Sequence, residues 1–191
     1  MKNFFWFNYL LNVLKKYLSK IIILGNYIKL ELNDTKNINI VLMFLKKHSK
    51  TKFNILVDIA CTDFLSFKLQ RFSINYLLLS CFFNSRLVVS SWFDERDVLH
   101  SCTNVFSGAS WLEREVWDLY GVFFSNHNDL RRILTDYGFS GYPFRKDFPL
   151  NGFFEIRYDE NKQYLVYEPV ELTQTFRFYD FLNPFHKKYI F

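Results

Sequence analysis

The sequence is poor in the residues that bend, staple and ligate a chain. Its 191 residues include only 6 glycines, 4 prolines, 3 cysteines and 4 histidines. With so few glycines it holds neither a GxGxxG nor a Walker pattern, so no glycine-rich phosphate loop is present. Cys61, Cys81 and Cys102 stand about twenty residues apart. Zinc and iron–sulfur sites need close pairs, because two ligands must reach one metal from a single turn. The odd count also speaks against a disulfide framework, leaving three reduced, half-buried thiols in a reducing compartment as the expectation. His48, His100, His127 and His186 are scattered, with no HExxH. No serine elbow or Cys–His arrangement offers a nucleophile.

Long hydrophobic runs are missing too. From Phe4 to Leu24 the chain is mostly apolar, but Asn8, Asn12, Lys15, Lys16 and Lys20 interrupt it. A spanning helix needs about twenty nearly uninterrupted apolar residues. A signal peptide would carry its charge before the apolar run and end in small residues. The segment does neither and reads as an amphipathic helix, roughly Phe4 to Ser19, docked on protein or lying near a membrane surface, as part of a basic, aromatic extension over 1–25. A mean hydropathy of −0.06, with charge throughout, excludes a polytopic membrane protein.

What the chain has is apolar mass and aromatic rings. Half its residues are hydrophobic and 23% are charged, enough to bury a core. Aromatics reach 21%, including 24 Phe and 12 Tyr. The net charge of +5 is uneven: residues 1–50 carry +7 with no arginine, and residues 51–191 carry −2. A basic arm of this kind suits nucleic acid, anionic lipid or an acidic neighbour.

Periodicity predicts an α+β domain. Tyr27 to Leu32 alternates with a period of two and reads as a strand. Ile38 to Lys47 has helical spacing and ends in a Lys pair that favours the helix dipole. Phe53 to Ala60 is a branched, apolar strand. Phe72 to Phe83 and Leu87 to Phe93 form a hairpin turning at Asn84-Ser85. Sequential pairing of these pieces gives a mixed β-sheet with helices on one face, occupying 26–134. Ser110 and Glu113 have the form of a capping box for a further helix, and Gly121 stands where a left-handed cap would end it. Leu112, Val116, Leu119 and Tyr120 make its apolar stripe. Glu113, Arg114, Glu115 and Asp118 then read as a solvated face, with Arg114 and Asp118 spaced to pair. Glu113 and Glu115 point in different directions and make a poor acid/base couple.

From residue 135 onward the grammar changes. Residues 135–191 contain seventeen aromatics but only eight of Leu, Ile and Val, punctuated by Gly and Pro. Disordered tails lack aromatics, and a self-contained domain would show a period. The stretch is expected to be a long extended, mostly irregular tail folded over another protein, with a short hairpin at Phe153–Asp159 and Tyr164–Tyr167.

At the capped helix the sequence becomes recognisable. Glu113-Arg114-Glu115, Asp118, Leu119-Tyr120, His127, Arg131 and Ile133-Leu134, in that spacing, resemble the signature of the 30-kilodalton subunit of respiratory complex I. The stretches LRRILTDYGFSGYPFRKDFPLNGFFEIRYDE and YEPVELTQTFRFYDFLNP look like the same family, in the form encoded in mitochondrial genomes. Asn128 stands where that family usually has Pro, and Tyr142 where it usually has His. The resemblance implies a structural subunit of the quinone-reducing module, in the matrix-facing peripheral arm at the mitochondrial inner membrane. It implies a hetero-oligomer packed chiefly against the 49-kilodalton subunit, with no nucleic acid and no transmembrane segment. This chain would bind no cofactor; FMN, iron–sulfur clusters, NADH and ubiquinone would belong to other subunits of the respiratory-chain translocase, an NADH:ubiquinone oxidoreductase. Catalytic and metal-ligating residues would be absent, and Glu113, Arg114, Glu115, Asp118, His127, Arg131, Arg132, Asp136, Arg145, Lys146 and Asp147 would form an ion-pair and hydrogen-bond network at the root of the tail. Two other classes remain open: an organellar RNA-binding or ribosomal protein using the Lys-rich arm, and the homologous subunit of a plastid or bacterial quinone oxidoreductase or membrane-bound hydrogenase.

Overall fold

Alternation along the strands builds the sheet. A computed structural model of the chain describes residues 12–24, 27–65 and 70–177. Five strands, β1 (Leu18–Leu24), β2 (Tyr27–Leu32), β3 (Ile55–Asp63), β4 (Phe72–Ser80) and β5 (Ser85–Phe93), form one sheet in the order β1-β2-β5-β4-β3. All neighbours are antiparallel except β2 and β5, which run parallel, so the sheet is mixed as expected. The register sets Ile28 beside Leu87, Leu30 beside Val89, Tyr76 between Val89 and Ile59, and Ile74 beside Cys61. These side chains share one buried face.

Two helices cover that face. Helix α1 (Ile38–Lys47) buries Ile38, Val41, Leu42 and Leu45, the positions a 3.6-residue period puts on one side. Helix α2 (Ala109–Tyr120) buries Ala109, Val116 and Leu119 in the same core and lies against β3. Two short strands, β6 (Leu99–His100) and β7 (Phe124–Ser125), pair in parallel and bring Ser101 and Cys102 back to α2. No helix among the described residues is long and apolar enough to cross a membrane.

Two expectations need correction. The helical extension over 1–25 holds for one turn only among the described residues. Asn12–Leu14 is helical, then Leu18–Leu24 is the edge strand β1, because the β-branched run Ile21–Ile23 packs better on a pleated ladder. The first part of the expected helix, up to residue 11, lies outside the described residues. There is no capping box: α2 begins at Ala109 after Gly108, so Ser110 is already inside the helix and no side chain caps it. One compact unit runs to Leu150, and the residues from Asn151 onward form a second. In the second unit β8 (Phe154–Asp159) and β9 (Tyr164–Pro169) make the expected hairpin. Residues 178–191 of the expected tail lie outside the described residues.

Tyr76 is fully buried at the centre of the sheet, and its hydroxyl has no hydrogen-bond partner. A buried polar group without a partner costs about 1–3 kcal/mol. Tyr76→Phe is therefore expected to leave the fold intact and raise the unfolding free energy by about 1 kcal/mol, read by denaturant titration.

Candidate functional site

The charged residues of α2 do not face solvent. Glu113 and Asp118 are both fully buried, which overturns the reading of a solvated face. The reason lies in the backbone that surrounds them. Oε1 of Glu113 accepts the Cys102 N–H at 2.7 Å and Oε2 accepts the Ser101 hydroxyl at 2.6 Å. The loop leaving β6 would otherwise bury both donors unmet. His127 comes to the same place, its Nε2 lying 3.8 Å from Oε2 of Glu113. That nitrogen is also 3.1 Å from the Ser110 carbonyl, while Nδ1 accepts the Asp129 N–H at 3.1 Å. With a carbonyl facing Nε2 and an N–H facing Nδ1, Nε2 is the donating nitrogen of the ring. Burial, with the Glu113 carboxylate alongside, pushes the Cys102 thiol well above its usual range. Burial likewise pushes Cys61 up to about 12. Neither thiol is a nucleophile at neutral pH.

Asp118 is the most heavily bonded of these groups. Its Oδ2 accepts three consecutive backbone N–H groups, from Ile133 at 3.1 Å, Leu134 at 2.7 Å and Thr135 at 2.9 Å. Its Oδ1 accepts the Thr135 hydroxyl at 2.5 Å and Arg132 Nη1 at 2.9 Å. Arg132 also donates to the Asp118 and Gly141 carbonyls, at 3.2 and 2.9 Å, tying the next loop to the same point. Burial alone would raise the Asp118 carboxyl, but the Thr135 hydroxyl and amide, with Arg132 and Leu134, outweigh it and hold it well below the usual carboxylate range. The anticipated pair between Arg114 and Asp118 does not form. Arg114 instead donates to the carbonyls of Arg131 and Arg132, at 3.1 and 3.2 Å, so it grips the backbone of the same loop.

A second carboxylate anchors the end of the unit. Asp63, at the end of β3, takes both arms of Arg71, Nε at 3.0 Å and Nη2 at 2.9 Å, and the N–H of Lys146 at 3.0 Å. Burial works against the Asp63 charge, but Arg71 and the Lys146 amide prevail and its carboxyl sits lower than usual. Asp147 pairs with Arg71 at 3.0 Å. Arg145 donates to the Tyr120 carbonyl at 2.6 Å, pairs with Glu95 and lies over the ring of Tyr142 at 4.5 Å. Gly121 makes this approach possible. Its φ of +76° is left-handed, and a Cβ there would lie 2.6 Å from both Arg145 Nη2 and the Tyr142 ring.

The structure therefore sets Arg114, Asp118 and Arg132 on the loop after α2, Glu113 with His127 beside the loop before it, and Arg145, Lys146 and Asp147 with Glu95, Asp63 and Arg71 at the end of the sheet. It leaves three of the anticipated residues outside: Glu115 is exposed, Arg131 makes an exposed pair with Asp129 at 3.0 Å, and Asp136 bonds only locally, to the Tyr137 N–H at 2.7 Å. Sequence reasoning missed Asp63, Arg71, Glu95, Ser101 and Thr135. Asp63, Arg71, Ser101 and Thr135 lie outside any dense charged stretch, Glu95 sits in the run Asp94–Asp97, and their partners come from segments distant in sequence, which no local pattern encodes. Among the described residues no group of three or more His, Cys, Asp or Glu could hold a metal. One cavity of about 150 Å³ lies between β3 and α2, lined by Asp58, Cys61, Glu115, Tyr120 and Phe144 among others.

With that geometry in place, comparison with known proteins is informative. Residues 32–154 match the family model described as "Respiratory-chain NADH dehydrogenase, 30 Kd subunit". The chain belongs to that family. It is 50% identical over 148 residues to the proteins named "NADH dehydrogenase [ubiquinone] iron-sulfur protein 3" of Beta trigyna and Solanum tuberosum, covering 78% of this chain and 77% of each of those. It is 49% identical to "NADH-ubiquinone oxidoreductase subunit 9" of Prototheca wickerhamii, over 76% of both chains. Among solved structures, "Nqo5 of the trypsin-resistant fragment (1-134) in P63 form" matches with a TM-score of 0.56 at 27% identity, over 68% of this chain and all of the fragment. This chain is thus a 30-kilodalton-subunit family member of the respiratory-chain NADH dehydrogenase, complex I, and its partners are other subunits of that complex. The family assignment leaves the RNA-binding alternative without support. Of the departures from the family pattern, Tyr142 is the telling one: its ring packs against Trp117 and lies under both Arg132 and Arg145.

Breaking a buried charged network by removing one partner costs about 3–5 kcal/mol. Asp118→Asn is expected to destabilise this family member by about that amount at pH 7, measured by urea titration. The native Asp118 carboxyl lies below its unfolded value of about 3.9. Its stabilisation is therefore complete above that value and declines as the pH falls below it. The gap between wild type and Asp118→Asn should accordingly be constant from pH 7 to about 5 and narrow below pH 4.

Proposed function

We propose that this chain is a non-catalytic scaffold of the quinone-reducing module in mitochondrial complex I, at the matrix-facing peripheral arm. In this reading it holds the 49-kilodalton subunit through the segment that follows the clamped loop, and the cofactors of the complex sit on other subunits. The observation that carries this reading is the saturation of Asp118 and Glu113. Both carboxylates have their oxygens filled by donors of this same chain, which suits a joint and leaves no carboxylate free for proton transfer at these positions. Glu113, Arg114, Asp118, His127, Arg132, Arg145, Lys146 and Asp147 then fix where the chain leaves the sheet-and-helix unit. Glu115, Arg131 and Asp136 keep only the interface part of the proposed role, since they face outward.

The hairpin supplies the complementary half. Register places Phe154, Ile156 and Tyr158 on the same face as Leu165, Tyr167 and Pro169. All six are exposed, while the opposite face carries Glu155, Arg157, Asp159 and Glu168. A two-stranded ribbon buries neither face by itself and is marginal in water. A continuous apolar face on such a ribbon is the chemistry of a surface that another protein covers.

Two measurements test the proposal. Complex I carrying Arg114→Ala is expected to contain less of this subunit, with turnover per assembled complex unchanged. Full occupancy with lost turnover would give Arg114 a part in the chemistry instead. In the native complex Lys162, in the turn between β8 and β9, should cross-link to the 49-kilodalton subunit, and cross-links confined to other subunits would displace that partner.

A further inference from the structure

Two carboxylates of the sheet-and-helix unit behave unlike Glu113 and Asp118. The cavity between β3 and α2 is lined by Asp58 from the strand and Glu115 from the helix, with Val116, Leu119, Tyr120 and Phe144 as its apolar wall. Glu113 and Asp118 have their oxygens filled by donors of this chain. Asp58 fills only one, its Oδ1 accepting the N–H of its neighbour Ile59 at 2.8 Å. Among the described residues, Oδ2 of Asp58 and both oxygens of Glu115 accept no hydrogen bond, and neither side chain pairs with a cation. Glu115 is exposed and Asp58 half-buried, so solvent reaches both charges. Arg145, which follows Phe144 in the chain, is already committed to the Tyr120 carbonyl and to Glu95.

The local structure produces this arrangement. β3 is an edge strand, and its register on β4 slips between Leu56 and Asp58. A bulge of that kind re-aims the side chains beside it. Glu115 stands about 200° around α2 from Glu113, away from the donors that draw Glu113 inward. The returning chain supplies the remaining wall: the Phe144 N–H donates to the Leu119 carbonyl at 3.1 Å, and its ring stands edge-on to Tyr120 with centroids 5.7 Å apart. Phe144 is left 57% exposed. Size and chemistry then select an occupant. The cavity, about 150 Å³, is below the roughly 300–1,000 Å³ of a cofactor or small-molecule site and suits one side chain. Carboxylates beside aromatic rings favour a cation with a flat apolar face. A guanidinium offers both, a fork for carboxylate oxygens and a plane for a ring. Arginine is also enriched at interface centres, where lysine is depleted.

We propose that this cavity receives an arginine side chain from a neighbouring protein subunit of the complex. Its guanidinium is bonded by Asp58 and Glu115 and lies against Tyr120 and Phe144. The occupant is assigned by charge complementarity, and the inference rests on this chain being a scaffold subunit of complex I.

The test uses intact complex I. In the wild-type complex, carbodiimide with glycine ethyl ester should label Asp58 and Glu115 roughly tenfold more slowly than in the urea-unfolded chain. Phenylglyoxal, which modifies accessible arginines, supplies the second arm. At least one arginine of another subunit should react roughly tenfold faster in complex carrying Asp58→Asn with Glu115→Gln than in wild type, with this subunit retained through its other contacts. Both substitutions keep the side-chain shape and remove no ion pair within the chain, and the labelling arm needs no variant. Glu115 labelled at the unfolded rate in complex that contains the subunit, or an unchanged arginine pattern in the variant, would overturn the inference and leave the scaffold reading standing. A direct carbodiimide cross-link from Asp58 or Glu115 to a lysine would overturn it in favour of an amine. Protection lost on chelation or delipidation would overturn it in favour of a metal ion or lipid. Complex I purified without this chain would overturn both readings.

Discussion

The chain between α2 and Leu150 depends on one buried carboxylate. Three successive backbone amides, a hydroxyl and a guanidinium all converge on Asp118. A loop that must run along a helix without joining a sheet has donors that nothing regular can meet. Each would cost about 1–3 kcal/mol if buried without a partner. A single ionised side chain removes three of these costs together, and the charge strengthens each bond. The remaining parts are consistent with this. Arg132 completes the cage and reaches on to Gly141, Arg114 grips the carbonyls of the same loop, and Gly121 lets Tyr142 and Arg145 close against the end of α2.

The same physics explains why two carboxylates of the charged motif, Glu113 and Asp118, are fully buried. Glu113 serves the loop before α2 as Asp118 serves the loop after it, so one helix settles the donors of both its neighbours. Buried ion pairs add little net stability but are expensive to break, which makes them better at enforcing one geometry than at strengthening a fold. Asp63 repeats the device at a distance in sequence, holding Arg71 and the Lys146 amide across the end of the sheet.

Much of the fold was legible in the chain. Period-two alternation located β2, the hairpin reading located β4 and β5, the spacing of Ile38, Val41, Leu42 and Leu45 gave α1 its stated limits, and Gly121 marked the end of α2. The hairpin from Phe154 to Pro169 was visible within an otherwise irregular stretch. What failed had physical causes. The run Ile21–Ile23 satisfies both an apolar helix face and an edge strand, and only the free edge of β2 decides between them. Ser110 and Glu113 fit the capping pattern, yet the helix begins one residue earlier and the carboxylate turns inward to donors supplied from β6. Family resemblance picked out the motif residues, but not that Glu113 and Asp118 would be fully buried or that Asp63 and Thr135 would join them. Those outcomes depend on long-range closure, which no local window records.

Hydrogen exchange at the Ile133, Leu134 and Thr135 amides tests the central claim most directly. These residues lie outside any helix or strand, so secondary structure gives them no protection. If Asp118 holds them as described, their exchange should be as slow as that of the buried amides of α2, and Asp118→Asn should release all three together. Exchange at the rate of an exposed loop in the native protein would contradict the account.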